Sequence, residues 1–177
     1  MKEIFERRSI RKYSKLPISD DDIEKLLRAA MAAPSAGNQQ PWEFILIKDK
    51  NILTDITKVH PYSQMLKEAA VAIVICADLD KEKHAGYWVQ DCSAATENIL
   101  IEAQHLGLGS VWLGVYPRED RVKELKELLN IPVRVVPLSI VSLGYPAEKK
   151  EPSNRYDKLR IHINKPVINL PFIYMNS

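Results

Sequence analysis

Apolar residues recur along this chain in two rhythms, one close to the helical repeat and one continuous or alternating as in strands. Ser19 stands before Asp20, Asp21 and Asp22, a capping hydroxyl followed by acids that a helix dipole favours in its first turn. Ile18 and Ile23 flank that cap as a hydrophobic staple. Ile23, Leu26, Leu27 and Ala30 then share one face, and Pro34 ends the run. A short helix is expected over residues 2–7, with others near 52–58 and 120–129. The last of these turns Val122, Leu125, Leu128 and Leu129 inward.

The longest helix is expected over residues 85–106, where Trp88, Cys92, Ala95, Ile99, Ala103 and Leu106 follow spacings of three and four. A second side carries Val89, Ser93, Thr96 and Leu100, and small residues at Gly86, Ser93, Ala94 and Ala95 leave room for a close neighbour. Two readings fit this pattern. The helix is either the centre of one subunit, or part of a dimer core shared with its symmetry mate.

Strands are expected over residues 43–48, 71–77, 111–115 and 135–143, with Pro137 near the start of the last and residues 161–163 as a fifth candidate. The run Val-Ala-Ile-Val-Ile-Cys-Ala at 71–77 reads as a strand buried on both faces. Helices mixed with strands give an α/β or α+β sandwich, in one domain over residues 1–177. Pattern alone does not give the strand order. Beyond residue 163, Pro166 and Pro171 interrupt a strongly apolar tail, which is expected to cover its own domain or wrap a partner.

Composition narrows the class. The chain has 46% hydrophobic and 27% charged residues, an ordinary globular balance. A formal net charge of +2 is too small to point to nucleic acid or an anionic membrane as the main partner. No apolar run is long enough to span a bilayer, and the start shows no cleavable leader, so a cytoplasmic setting is expected. Cys76 and Cys92 form no C-x-x-C pair and read as buried thiols. His60, His84, His105 and His162 show no metal-ligand spacing.

Two segments carry candidate chemistry. Arg7-Arg8-Ser9-Ile10-Arg11 puts three guanidinium groups and a hydroxyl in five residues. Such a set can converge on a phosphate through paired, charge-assisted bonds, or remain a solvated basic surface. Pro34-Ser35-Ala36-Gly37-Asn38-Gln39-Gln40-Pro41-Trp42 offers neutral donors and acceptors that could read the edge of a heterocycle. Taken alone it is also an ordinary helix-to-strand turn. Gly107-x-Gly109 is no dinucleotide fingerprint, because it closes a helix where the fingerprint opens one. Gly37-Asn38 is no hairpin turn, because a helix precedes it.

Together, in this order, the two segments resemble the FMN-dependent nitroreductase family, NAD(P)H oxidoreductases that open with R-[RH]-S-x-[RK] and continue with P-S-x-x-N-x-Q-P-W. The likeness extends through Gly107-Leu108-Gly109-Ser110-Val111-Trp112-Leu113-Gly114, then Leu143-Gly144-Tyr145-Pro146-Ala147-Glu148 and Arg155. The resemblance implies a mixed, mostly antiparallel sheet flanked by helices, in a homodimer with an exchanged C-terminal segment over about 164–177. It implies that Arg7, Ser9 and Arg155 meet the FMN phosphate, while Arg8 and Arg11 face the ribityl and pyrimidine side. Pro34, Ser35, Ala36 and Asn38 would close over the same flavin from the other subunit. Leu113 and Gly114 would lie against the isoalloxazine with a backbone N–H toward N5, and Tyr62 and Met65 would border the substrate.

The implied activity is ping-pong transfer of hydride from NAD(P)H through N5 to a nitroaromatic, quinone or similar acceptor. The flavin carries the hard step, so no catalytic side chain is expected. Other readings on this scaffold are dehalogenase-like or flavin-consuming chemistry and a non-catalytic flavin-binding module.

Overall fold

The computed structural model describes residues 2–164. Its centre is a four-stranded antiparallel sheet of β1 (Trp42–Ile47), β2 (Val71–Asp78), β3 (Gly109–Gly114) and β4 (Val135–Gly144), in the order β1-β2-β4-β3. The four expected strands all form. The α+β class holds, with antiparallel pairing throughout the sheet and a parallel bridge from Ser9 to Ser110 at its edge.

All eight residues of β2 are buried. Alternation sends Ile73, Ile75 and Ala77 to one face and Ala72, Val74 and Cys76 to the other. The first face packs on α2 (Asp20–Met31) and α4 (Trp88–His105), the second on α3 (Lys50–Val59) and α5 (Glu119–Leu129). A short α1 (Lys2–Glu6) buries none of its residues. Pro137 has no N–H for a ladder, and the register of β2 against β4 slips beside it, leaving Leu138 as the extra residue. The Leu138 carbonyl then accepts from Val115 and Tyr116, which ends β3.

Local signals place the helices. The Ser19 hydroxyl accepts from the Asp22 N–H at 3.1 Å, as its position before three acids predicts. Asp49 caps α3 through Asn51 and Ile52, and α5 closes on Asn130 in the left-handed region. The expected core face of α4 is buried at Trp88, Cys92, Ala95, Ile99 and Ala103, and so are Thr96 and Leu100 on its second side. Val89 and Ser93 on that second side stay half-buried. Cys76 and Cys92 are free and buried, and desolvation pushes both thiols up to about 12, so neither is a ready thiolate.

One strand expectation fails. Residues 161–163 follow a 3-10 turn at Lys158–Arg160 and pair with no strand among the described residues. Ile161 and Ile163 remain exposed, because three alternating residues give too little ladder to hold an edge without apolar cover. Most of the apolar tail expected over about 164–177 lies outside the described residues.

Candidate active site

β3 is an edge strand, and its outer side is only half taken. Leu113 pairs inward with Ile140, so alternation turns the N–H and C=O groups of Ser110, Trp112 and Gly114 away from β4. An extended arm fills the first part of this edge. Ile10 donates to the Ser110 carbonyl at 2.9 Å, and Tyr13 bridges Pro146. Beyond the arm, the N–H groups of Trp112 and Gly114 face a cleft of about 440 Å³.

This cleft joins five of the expected site residues: Arg11, Tyr62, Met65, Leu113 and Gly114. Arg11 reaches it because its backbone N–H is held by Glu148 at 2.6 Å while Ile10 and Tyr13 on either side are buried. Met65 and Tyr62 come from the loop after α3, which turns at Pro61. Five lining residues were missed by the sequence reading: His60, Pro61, Gln64, Trp112 and Arg121. Trp112 lay inside a quoted motif, but His60 was tested only as a metal ligand. Arg121 looks like any charged position on the solvent face of α5.

The electrostatics of the cleft are one-sided. Its lining holds two guanidinium groups and no carboxylate, and neither Arg11 nor Arg121 pairs with an acid among the described residues. Arg121 lies over the Tyr62 ring, 5.5 Å from its centroid, and donates to the Gly114 carbonyl at 3.1 Å. The same carbonyl accepts from His60 Nε2 at 2.9 Å. Burial and the nearby Arg121 charge lower the His60 pKa, against the opposing pull of the Gly114 carbonyl, so the ring is neutral in ordinary buffers. A Cβ added at Gly114 would meet nothing within 4 Å, so open space lies beside this strand end.

The other expected residues stand elsewhere in one chain. Arg7 turns onto α4, its guanidinium 3.5 Å from Glu97. Arg8 faces a second hollow of about 400 Å³ behind the arm, beside Gly107, Pro146 and Lys150. Ser9 is half-buried and its carbonyl accepts from Lys150 at 2.7 Å. Arg155 is exposed. Pro34, Ser35, Ala36 and Asn38 sit at the start of α4, where Asp91 accepts from the Ala36 N–H at 2.9 Å. Asn38 and Gln40 both adopt positive φ there, at 54° and 47°, and Asn38 is exposed.

An α+β sandwich with a cationic cleft on the open edge of its sheet narrows the class, and comparison with known proteins fixes the family. The chain belongs to the nitroreductase family, whose model matches residues 4–60 and 57–145. A protein of Archaeoglobus fulgidus assigned as an NADH dehydrogenase/NAD(P)H nitroreductase is 56% identical over 169 residues, spanning 93% of this chain and 97% of its own. The solved structure of an FMN-dependent nitroreductase from Clostridium difficile is 34% identical, with a TM-score of 0.85 over 92% of this chain and 98% of that one. A structure solved in complex with FMN, from Desulfovibrio desulfuricans, is 28% identical, with a TM-score of 0.81 over 93% of this chain and 95% of that one. No helix among the described residues is long and apolar enough to cross a membrane.

Proposed function

We propose that this chain is an NAD(P)H-dependent oxidoreductase holding FMN non-covalently, in a cleft completed by a second copy of itself. The observation that carries this reading is the cleft beside Gly114, where two guanidinium groups with no acidic partner among the described residues meet open strand-edge N–H groups. Such a surface suits a flat, anionic, hydrogen-bonding heterocycle. The open space beside Gly114 supports it further, because no neighbour among the described residues needs that room.

When bound, FMN supplies the hydride acceptor at N5. Arg11 stabilises negative charge on the pyrimidine side as reduction proceeds, since a fixed guanidinium favours the more anionic form. The backbone N–H of Gly114 donates toward the atom that takes hydride. Arg7, Ser9 and Arg155 take the phosphate, with Arg8 on the ribityl side. Arg7 can exchange Glu97 for a phosphate at small cost, because a part-exposed ion pair contributes only about 0–1 kcal/mol.

The segment carrying Pro34, Ser35, Ala36 and Asn38 closes over the site from the second copy. Tyr62 and Met65 border the place that the nicotinamide donor and then a nitroaromatic or quinone occupy in turn, which is ping-pong kinetics. A cytoplasmic setting, where reduced nicotinamides are available, belongs to the same reading.

The test is the visible spectrum of the purified protein, followed anaerobically with NADH, then NADPH, then menadione. Yellow protein that is bleached by a nicotinamide and recoloured by the quinone is the expected result. Tight flavin without turnover would leave a binding module. Colourless protein that ignores added FMN overturns the proposal.

A further inference from the structure

His60 is an unusual lining for a redox cleft that needs no side-chain acid or base. It is 3% exposed, yet one of its ring nitrogens has no partner. The Gly114 carbonyl can only accept, so Nε2 carries the proton and donates across 2.9 Å. Nδ1 is then a bare acceptor, buried and unpartnered. Such an orphan costs about 1–3 kcal/mol, a cost that an apolar side chain would not incur. The use of imidazole at this position therefore lies in Nε2.

What Nε2 holds is the residue with most freedom to move. Gly114 ends an edge strand, and glycine has the widest choice of backbone angles. The peptide before its Cα is tied to β4, because Leu113 pairs with Ile140. The peptide after it is tied by the Val115 N–H to the Leu138 carbonyl at 3.0 Å, and on its outward oxygen by two donors, His60 and Arg121, which together engage both carbonyl lone pairs. Both clamping residues are themselves seated. The His60 N–H closes α3 on the Ile56 carbonyl at 3.0 Å, and its own carbonyl accepts from the Ser63 hydroxyl at 2.7 Å. Arg121 rests on the Tyr62 ring.

We infer that His60 is a positioning residue: with Arg121 it clamps the Gly114 carbonyl and so holds in place the end of β3, whose last outward N–H, that of Gly114, meets the flavin. The inference rests on the proposed FMN site, and it acts through the backbone without contact between imidazole and ligand. Preorganised donors are worth most when they need no reorganisation as charge develops. A loosened Gly114 should therefore weaken flavin binding and shift the flavin midpoint potential.

The experiment compares the FMN-loaded wild type with His60→Leu, which removes the donor, and His60→Gln, which keeps an N–H within reach. Three readouts apply: FMN dissociation by fluorescence, the midpoint potential, and hydrogen exchange at the Val115 amide, which lies on the clamped peptide and donates to the Leu138 carbonyl. Leucine is expected to weaken FMN about tenfold, the loss of one hydrogen bond's worth of preorganisation, and to speed Val115 exchange by a similar factor. It should shift the potential too, and glutamine should restore most of each change. Wild-type values in all three readouts for the leucine variant would overturn the clamp. If the wild type takes up no FMN, the proposed function fails, while exchange at Val115 still decides the clamp. Should the leucine variant not fold, Arg121→Met removes the other donor, and unchanged exchange at Val115 would again reject the inference.

Discussion

Asp91 on α4 accepts a hydrogen bond from the Gln39 side-chain amide at 2.7 Å, joining the first turn of a helix to a loop 52 residues away in sequence. Its other carboxylate oxygen takes the Ala36 N–H at 2.9 Å, and Asp91 is only 4% exposed. Gln39 cannot turn its amide over, because its oxygen already accepts from the Lys83 and His84 N–H groups. One buried acid thus holds a loop whose residues Gly37, Asn38 and Gln40 all have positive φ.

Asparagine at position 91 is therefore expected to damage the loop although it is nearly isosteric. Its amide must face either the Ala36 N–H or the Gln39 NH₂, donor against donor in both orientations. Loss of one charge-assisted bond and burial of an unmatched donor should lower unfolding stability by about 2–4 kcal/mol. Denaturant unfolding of Asp91→Asn measures it, and an unchanged midpoint would show that Asp91 does not secure the loop. Protease cleavage near residues 35–40 should also become faster.

The arm that delivers Arg11 depends on a missing side chain at Gly144. A Cβ there would stand 2.8 Å from the Tyr13 ring, and that ring is buried with its hydroxyl donating to the Ile10 carbonyl at 2.8 Å. Tyr13 also donates to the Ser142 carbonyl, and burial raises its pKa, so it remains a neutral donor. Gly144→Ala must displace the ring and with it the arm, at about 1–3 kcal/mol. A fall in thermal stability accompanied by weaker FMN retention is expected. Full stability in this variant would mean that the ring has room the structure does not show.

The fold was more legible than the site, for physical reasons. Core elements announce themselves locally: β2 is buried on both faces and reads as an unbroken apolar run, and Ser19 before three acids marks α2. Capping and burial act within a few residues, so sequence records them. The cleft is built from His60 at a helix end, Arg121 on an amphipathic helix and the open edge of β3. None of these carries its own signal, because their meaning comes from strand order, which periodicity does not contain. Recognition of the motif around Arg11 and Gly114 found half of the cleft. It also grouped Arg7 with them, whereas within one chain Arg7 pairs with Glu97. The segment at residues 161–163 failed as a strand because alternation without a neighbouring edge builds nothing.

Arg11→Ala separates binding from folding. The side chain is exposed and its position is set by backbone contacts, notably the Arg11 N–H to Glu148, which alanine keeps. Stability should change by no more than about 0.5 kcal/mol. Flavin binding should weaken about ten- to a hundredfold, the range for losing a charge-assisted contact. Dialysis followed by visible absorbance measures it. A variant that retains its full flavin content would remove Arg11 from the site.

The neutral state of His60 makes stability depend on pH in a definite direction. Its folded pKa is lowered, chiefly by desolvation and further by the Arg121 charge that faces it beside the Tyr62 ring, while the Gly114 carbonyl opposes the shift. Below the ordinary histidine range the unfolded chain therefore takes up a proton at this position that the folded chain refuses. Stability contributed by the position is fully present above that range and declines as pH falls, until the lowered folded value is reached. In His60→Gln the position does not titrate. Subtracting its unfolding free energies from those of the wild type cancels the other histidines and leaves the His60 contribution. The difference should be flat at neutral pH and turn against the wild type in mild acid. A difference that favours the wild type as pH falls would mean a protonated, ion-paired imidazole, and the neutral donor to Gly114 would have to be abandoned.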